Sequence, residues 1–237
     1  MITLFLLMKE KLKAILFDLD DTLYLERDFV KSGFKAVASF IQSDKEIDED
    51  IVYDSLWSVF KTGKRKKIFD YFINEFEEID YSINELVNLY RTHMPNINLI
   101  PGVEEYLLSL NKHYKLGLVT DGLVQTQKNK INTLGLNMIF DEILITDELG
   151  RGFWKPSIVP FSTICDKLEI DPPQTIYIGD NPEKDFKGPN QLDMGSIRLR
   201  LKEGEHFESE PNNKSFAPAK IVYSLDNLKI EMKRYNV

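Results

Sequence analysis

The chain has 237 residues, 43% of them hydrophobic and 29% charged, which is enough apolar mass for a full core and excludes a disordered or fibrous protein. A formal net charge of −8 and a pI near 5.1 exclude the broad basic surface that holds nucleic acid without sequence preference, so no nucleic-acid partner is expected. The single cysteine, Cys165, excludes an internal disulfide, and no Cys/His cluster has zinc-site spacing, which fits a reducing cytoplasm.

In chain order, the segment Ile2 to Met8 is apolar but lacks a preceding basic residue and a small-residue cleavage site. It is also far shorter than the roughly 20 residues that span a bilayer. No membrane partner is expected, and Met8 reads as the natural start, the first seven residues coming from an upstream start codon. Lys13 to Leu19 then reads as a buried strand that delivers carboxylates at its C-terminal end.

Residues 27–96 hold amphipathic helical stretches (Phe29 to Ile41, Ile51 to Phe60, Lys67 to Phe76, Ile83 to His93) and no clear strand. Pro95 and Pro101-Gly102 mark the exit from this insertion, and Val103 to Asn111 is the helix that re-enters the core. Strand patterns follow at Lys115 to Thr120, Glu142 to Thr146, Thr175 to Gly179 and Ser196 to Leu201, with helices over Val124 to Leu134 and Pro156 to Leu168. Lys202 to Pro218 reads as a surface loop, Lys220 to Tyr223 as an edge strand and Leu225 to Met232 as a closing helix. The expected fold is α/β: a doubly wound, Rossmann-like parallel sheet from residues 1–26 and 97–237, with an inserted all-α domain over 27–96.

Four groups of residues carry chemistry. Asp18-Leu19-Asp20-Asp21-Thr22 ends the first strand, where alternation sends Asp18 and Asp20 to one face. Alone, this acidic run suits a solvated turn equally well. Thr120-Asp121-Gly122 closes the second core strand, Lys155-Pro156 opens a helix, and Gly179-Asp180, followed by Asp185, closes a fourth strand. All four fall on one edge of the sheet, where an open α/β fold keeps its ligands.

With these motifs in this order, the chain resembles the haloacid dehalogenase superfamily from Lys13 to about Leu199, in its phosphatase-like subfamily I with a helical C1-type cap. The resemblance implies a magnesium-dependent phosphomonoesterase acting on a small phosphorylated metabolite through an aspartyl-phosphate. It implies Asp18 as nucleophile, Asp20 as the proton carrier and Lys155 as the catalytic cation. Thr120, Asp121 and Gly122, with Lys155, bind the phosphate; Asp18, Asp180 and the Asp20 carbonyl hold Mg2+; Asp185 orients Lys155 or a water. The chemistry agrees, because like charges about 4 Å apart repel by about 4 kcal/mol at an effective dielectric of 20, so carboxylates need a cation to meet a phosphate dianion. A halide leaves without a proton, so Asp20 favours phosphatase over dehalogenase. A phosphomutase, or a non-catalytic protein that kept the fold, uses the same residues and stays open.

Other residues have plainer readings. Asp21 is expected to be solvated or to cap a turn; Asp147 and Glu148, which follow a strand end, either back the pocket or, as favoured, cap a helix or turn. His93, His113 and His206 have no partner at triad or metal spacing. Cys165 belongs to the core, and Trp57, Phe60, Phe69, Tyr71 and Phe72 form the core of the insertion. The basic run Lys61 to Lys67 is either a solvated helix end or a source of substrate selection, through Lys64 or Arg65 facing the active site. Trp154, beside Lys155, is placed to line the pocket, and Pro189 should shorten or kink its helix.

Overall fold

In the computed structural model, which describes residues 11–76 and 78–235, β1 (Ala14–Phe17) lies at the centre of a six-stranded sheet. The Ile2 to Met8 segment lies outside the described residues. The other strands are β2 (Lys115–Thr120), β3 (Glu142–Ile145), β4 (Thr175–Gly179), β5 (Gly195–Leu199) and β6 (Lys220–Val222). Their order is β3-β2-β1-β4-β5-β6, and every pair is parallel. Parallel strands covered on both faces must be apolar throughout, which is why these runs show little alternation in sequence.

The two faces of β1 lead to two packing layers. Ile15 and Phe17, with Leu116, Leu118, Ile176, Ile178 and Ile197, meet apolar residues of α5 (Val103–Asn111), α6 (Val124–Thr133) and α9 (Leu225–Met232). Ala14 and Leu16, with Val119, Leu144 and Tyr177, meet Phe161, Ile164, Cys165 and Leu168 of α7 (Val159–Leu168). The helix α8 (Lys187–Gln191) has only five residues, with Pro189 at its middle, as the missing backbone donor predicts.

Between β1 and α5 come α1 (Glu26–Lys45), α2 (Glu49–Lys61), α3 (Ile68–Glu75) and α4 (Ile83–Thr92). They enclose a separate apolar cluster that includes Phe34, Val37, Leu56, Phe72 and Leu86. Local signals set their ends: the Asp48 side chain accepts from Asp50 N and Ile51 N, and Ser82 with Glu85 forms a capping box at α4. One expectation fails here. Tyr71 is 41% exposed rather than part of this core, because it sits on the outer side of α3 beneath the Lys64 ammonium, 4.4 Å from its ring centroid. Among the described residues no helix is long and apolar enough to cross a membrane.

Candidate active site

The sheet order reverses at β1, whose chain neighbours build outward on one side while β4 and β5 lie on the other. An open α/β sheet leaves a crevice at such a switch point, off the carboxyl ends of the strands. Asp18 follows β1 and Asp180 follows β4, and the ladder continues to the crevice edge through Asp18 N donating to Ile178 O at 2.8 Å. Position in the topology therefore brings together residues remote in sequence.

Lys155 is the hub. Its Nζ lies 2.7 Å from Asp18 Oδ1 and 2.8 Å from Asp185 Oδ1, and it donates to Tyr177 OH at 3.0 Å. Burial opposes its charge, but Asp18 and Asp185 outweigh burial and hold the ammonium well above its ordinary range. Asp185 is itself fixed, since Oδ2 accepts from Asn181 N at 2.8 Å. Gly179 permits this fold-back, because a Cβ there would stand 2.6 Å from Asp185 Oδ2.

Asp18, Asp180 and Asp185 each present a carboxylate oxygen within 4.8 Å of the others. Among the described residues no donor reaches the Asp180 carboxylate. Burial, then the charges of Asp185 and Asp18, push Asp180 well above the usual carboxylate range. Burial likewise lifts Asp18 to about 7 against the pull of Lys155. A buried carboxylate without a donor, crowded by two others, is the oxygen donor set that suits a hard divalent cation.

Asp20 faces a different set of partners. Lys130 Nζ lies 2.7 Å from its Oδ1, Tyr24 OH donates to the same oxygen, and Gln127 Nε2 donates to Oδ2 at 3.2 Å. Burial would raise the Asp20 carboxyl, but Lys130 and the Tyr24 hydrogen bond overcome it and hold the group below its ordinary value. The same Gln127 Nε2 donates to Thr120 Oγ1 at 2.5 Å. Because that hydroxyl accepts from Gln127, its own hydrogen is free to point elsewhere.

The Asp121 side chain does structural work instead of lining the crevice. Its Oδ1 accepts from Thr146 Oγ1 at 2.7 Å and Lys155 N at 3.1 Å, and Oδ2 pairs with Lys184 Nζ at 3.2 Å. It leaves its backbone amide, with that of Gly122, as the group of this turn suited to an anion. Trp154 donates from Nε1 to Asp147 Oδ1 at 3.2 Å, and Glu148 makes an exposed pair with Lys128 at 3.2 Å.

Asp21 is buried, not solvated. It caps, as expected: Oδ1 accepts from Glu26 N and Oδ2 from Glu205 N, each at 2.8 Å. Residues 202–218 thereby meet the site. The Glu205 side chain, 4% exposed, pairs with Arg65 and with Arg27 Nε at 3.2 Å, and His206 Nε2 lies 2.9 Å from Asn181 Nδ2. Of the two basic residues singled out from the sequence, Arg65 thus reaches the core while Lys64 is turned onto Tyr71. Sequence reasoning missed Gln127, Lys130, Tyr177, Lys184 and Glu205. Only Lys184, next to Asp185 in a strand-end motif, carried a local signal.

A sequence model of the haloacid dehalogenase-like hydrolases matches residues 15–198. The chain belongs to this family. Curated relatives of this hydrolase include the glyceraldehyde 3-phosphate phosphatase of Methanopyrus kandleri, 30% identical across 87% of this chain and 91% of that protein. The N-acylneuraminate-9-phosphatase of Mus musculus is 28% identical across 75% of this chain and 78% of its own. The magnesium-bound putative hydrolase YfnB from Bacillus subtilis superposes with a TM-score of 0.64 at 20% identity, covering 96% of this chain and 100% of that one. That likeness, at low identity, is one of fold. Since these curated relatives are phosphatases, this haloacid dehalogenase-like hydrolase is phosphatase-like.

Proposed function

We propose that the protein is a magnesium-dependent phosphomonoesterase acting on a small phosphorylated metabolite through an aspartyl-phosphate on Asp18. The observation that carries the reading is Asp18 held against Lys155 beside a donorless Asp180. Magnesium would be held by Asp18, Asp180 and the Asp20 carbonyl, and when bound it neutralises the negative charge of the phosphate and of the carboxylates around it.

Asp18 attacks phosphorus, and the ester oxygen leaves as it takes the proton carried by Asp20. Asp20, ionised in the free enzyme, takes up this proton from solvent as the phosphate charge arriving beside it raises its proton affinity. Once deprotonated, it takes a proton from the water that cleaves the acyl phosphate, and inorganic phosphate is released. Lys155, the Thr120 hydroxyl and the backbone amides of Asp121 and Gly122 hold the phosphoryl oxygens.

Residues 1–26 and 97–237 serve as the catalytic core and 27–96 as a cap that closes over the ester, a division supported by the separate apolar cluster of α1 to α4. Arg65 is the cap cation that favours anionic substrates. A single cysteine, buried with its thiol pushed up to about 11, supports a cytoplasmic setting.

The test is phosphate release across triose, sugar, polyol and nucleotide monophosphates with Mg2+, glyceraldehyde 3-phosphate first. Metal-dependent release that Asp18→Asn abolishes is expected, without a bisphosphate activator. Release by Asp18→Asn at the parental rate, or none by the parent, overturns the proposal.

A further inference from the structure

Helix α6 is unusual in what it buries. Thr126, Gln127, Asn129 and Lys130 are all 8% exposed or less, although each is polar. Such groups are costly to bury unless partnered, and all four are partnered. Gln127 and Lys130, one turn apart, face the site: Lys130 takes Asp20 Oδ1, while Gln127 spans Asp20 Oδ2 and Thr120 Oγ1. Only an amide nitrogen can serve both acceptors, so the carboxylate fixes which way the Gln127 amide points.

A second feature locks Gln127 in place. Gly122, at φ +140°, leaves room that a Cβ would fill at 2.9 Å from Gln127 Cδ, so the side chain lies directly on the turn that follows Thr120. Lys130 is held as closely, its Nζ 4.3 Å from the Phe29 ring centroid on α1.

We infer that Gln127 and Lys130 are positioning residues that hold the Asp20 carboxyl at a fixed place relative to the Thr120 phosphate anchor, where it meets the leaving oxygen of the ester. The inference rests on the phosphomonoesterase reading. Neither side chain needs to touch the phosphoryl group: the lysine sets the rotamer of Asp20, and the glutamine ties that rotamer to Thr120. Misplacing a proton carrier by a fraction of an ångström slows the step that needs the proton and spares one that does not.

The leaving group separates these cases. An alkoxide departs only with a proton, whereas p-nitrophenolate or acetate departs as a stable anion. In Lys130→Met and Gln127→Met, kcat/KM, which reads only the steps up to departure of the leaving group and not the later hydrolysis of the acyl phosphate, should fall about 100-fold for the alkyl phosphate that the parent hydrolyses fastest, the lower end of what a positioned proton carrier contributes, while kcat/KM for p-nitrophenyl or acetyl phosphate changes by about 3-fold or less. Lys130→Arg should restore part of the alkyl rate.

The ratio of the two rates in one preparation is independent of how much enzyme is folded. If one variant fails to fold, the ratio in the other decides. Equal losses on both esters, or a parental ratio, overturn the inference while leaving the phosphatase reading intact. A parent that hydrolyses no alkyl phosphate overturns both.

Discussion

Arg198 Nε donates to the backbone carbonyl of Asp180 over 2.9 Å, while its terminal nitrogens hold Ser209 O at 3.0 Å and His206 O at 2.6 Å. A fully buried guanidinium is thus spent on three carbonyls, tying the end of β4 to residues 206–209. Arg198→Leu should lower unfolding stability by about 3 kcal/mol, the scale of charge-assisted bonds lost in a dry site. Urea unfolding would measure it, and a loss below about 1 kcal/mol would show that the carbonyls find water instead.

The donorless Asp180 makes a second prediction about stability rather than rate. Saturating the parent with Mg2+, at about 100 times its dissociation constant, should add about 2.7 kcal/mol and raise Tm by roughly 5–10 °C. Asp180→Asn removes a repelling charge, so in EDTA it should melt higher than the parent and respond less to Mg2+. Equal magnesium shifts in both proteins would rule out Asp180 as a ligand.

Arg65 and Lys64 should part company. Neutralising Arg65, which pairs with Glu205, is expected to lower kcat/KM for carboxylate-bearing phosphomonoesters about tenfold relative to neutral ones, a difference of about 1.4 kcal/mol. Lys64→Gln should leave both unchanged, because its ammonium rests on Tyr71. Identical specificity in Arg65→Gln and the parent would remove the cap from substrate selection.

His93 gives a pH dependence whose sign can be worked out. It is held between α4 and α1, Nδ1 2.7 Å from Tyr90 O and Nε2 3.0 Å from Ser32 Oγ. Burial pushes its pKa below 6.5, with the Lys130 charge acting the same way. The native state then binds fewer protons than the unfolded chain, so this contribution is present above about pH 6.5 and is lost as pH falls towards the folded value. Asp18, Asp21 and Glu26, whose carboxyls burial pushes up to about 7, 6 and 7, act in the opposite direction. Only the difference between parent and His93→Gln isolates the histidine: Tm of the variant should decline less between about pH 7 and about pH 5. Parallel curves would contradict it.

Much of this was legible in the chain because it depends on local rules. The apolar runs around Ile15, Leu118 and Ile178 had to be covered strands, and covered parallel strands put Asp18, Thr120 and Asp180 at one edge. The helices of residues 27–96 were visible in their amphipathic periods. What escaped were contacts made by chain closure. Arg65 and Glu205 lie 140 residues apart, so neither suggests the other. Hydrophobic periodicity places a helix over Val124 to Leu134 but gives no sign that its polar residues Thr126, Gln127, Asn129 and Lys130 are buried. Tyr71 failed for the reverse reason: an aromatic at core spacing found a surface cation instead.

The other half of α6 bears on how such a protein can diversify. Thr126 Oγ1 donates to Arg91 O at 2.9 Å, and Asn129 Nδ2 donates to Thr92 O at 2.9 Å and His93 O at 3.1 Å. These are the loose carbonyls at the end of α4, and every amino acid supplies the same carbonyl. These three bonds therefore read where the last helix stops and ignore what its side chains are. Substitutions of side chains within α4 leave these three bonds intact, whereas inserting or deleting one residue near Arg91 shifts all three acceptors at once. Exchange of the insertion between relatives should succeed according to the register of that helix end, provided Phe29, Arg27 and Arg65 keep their partners Lys130 and Glu205.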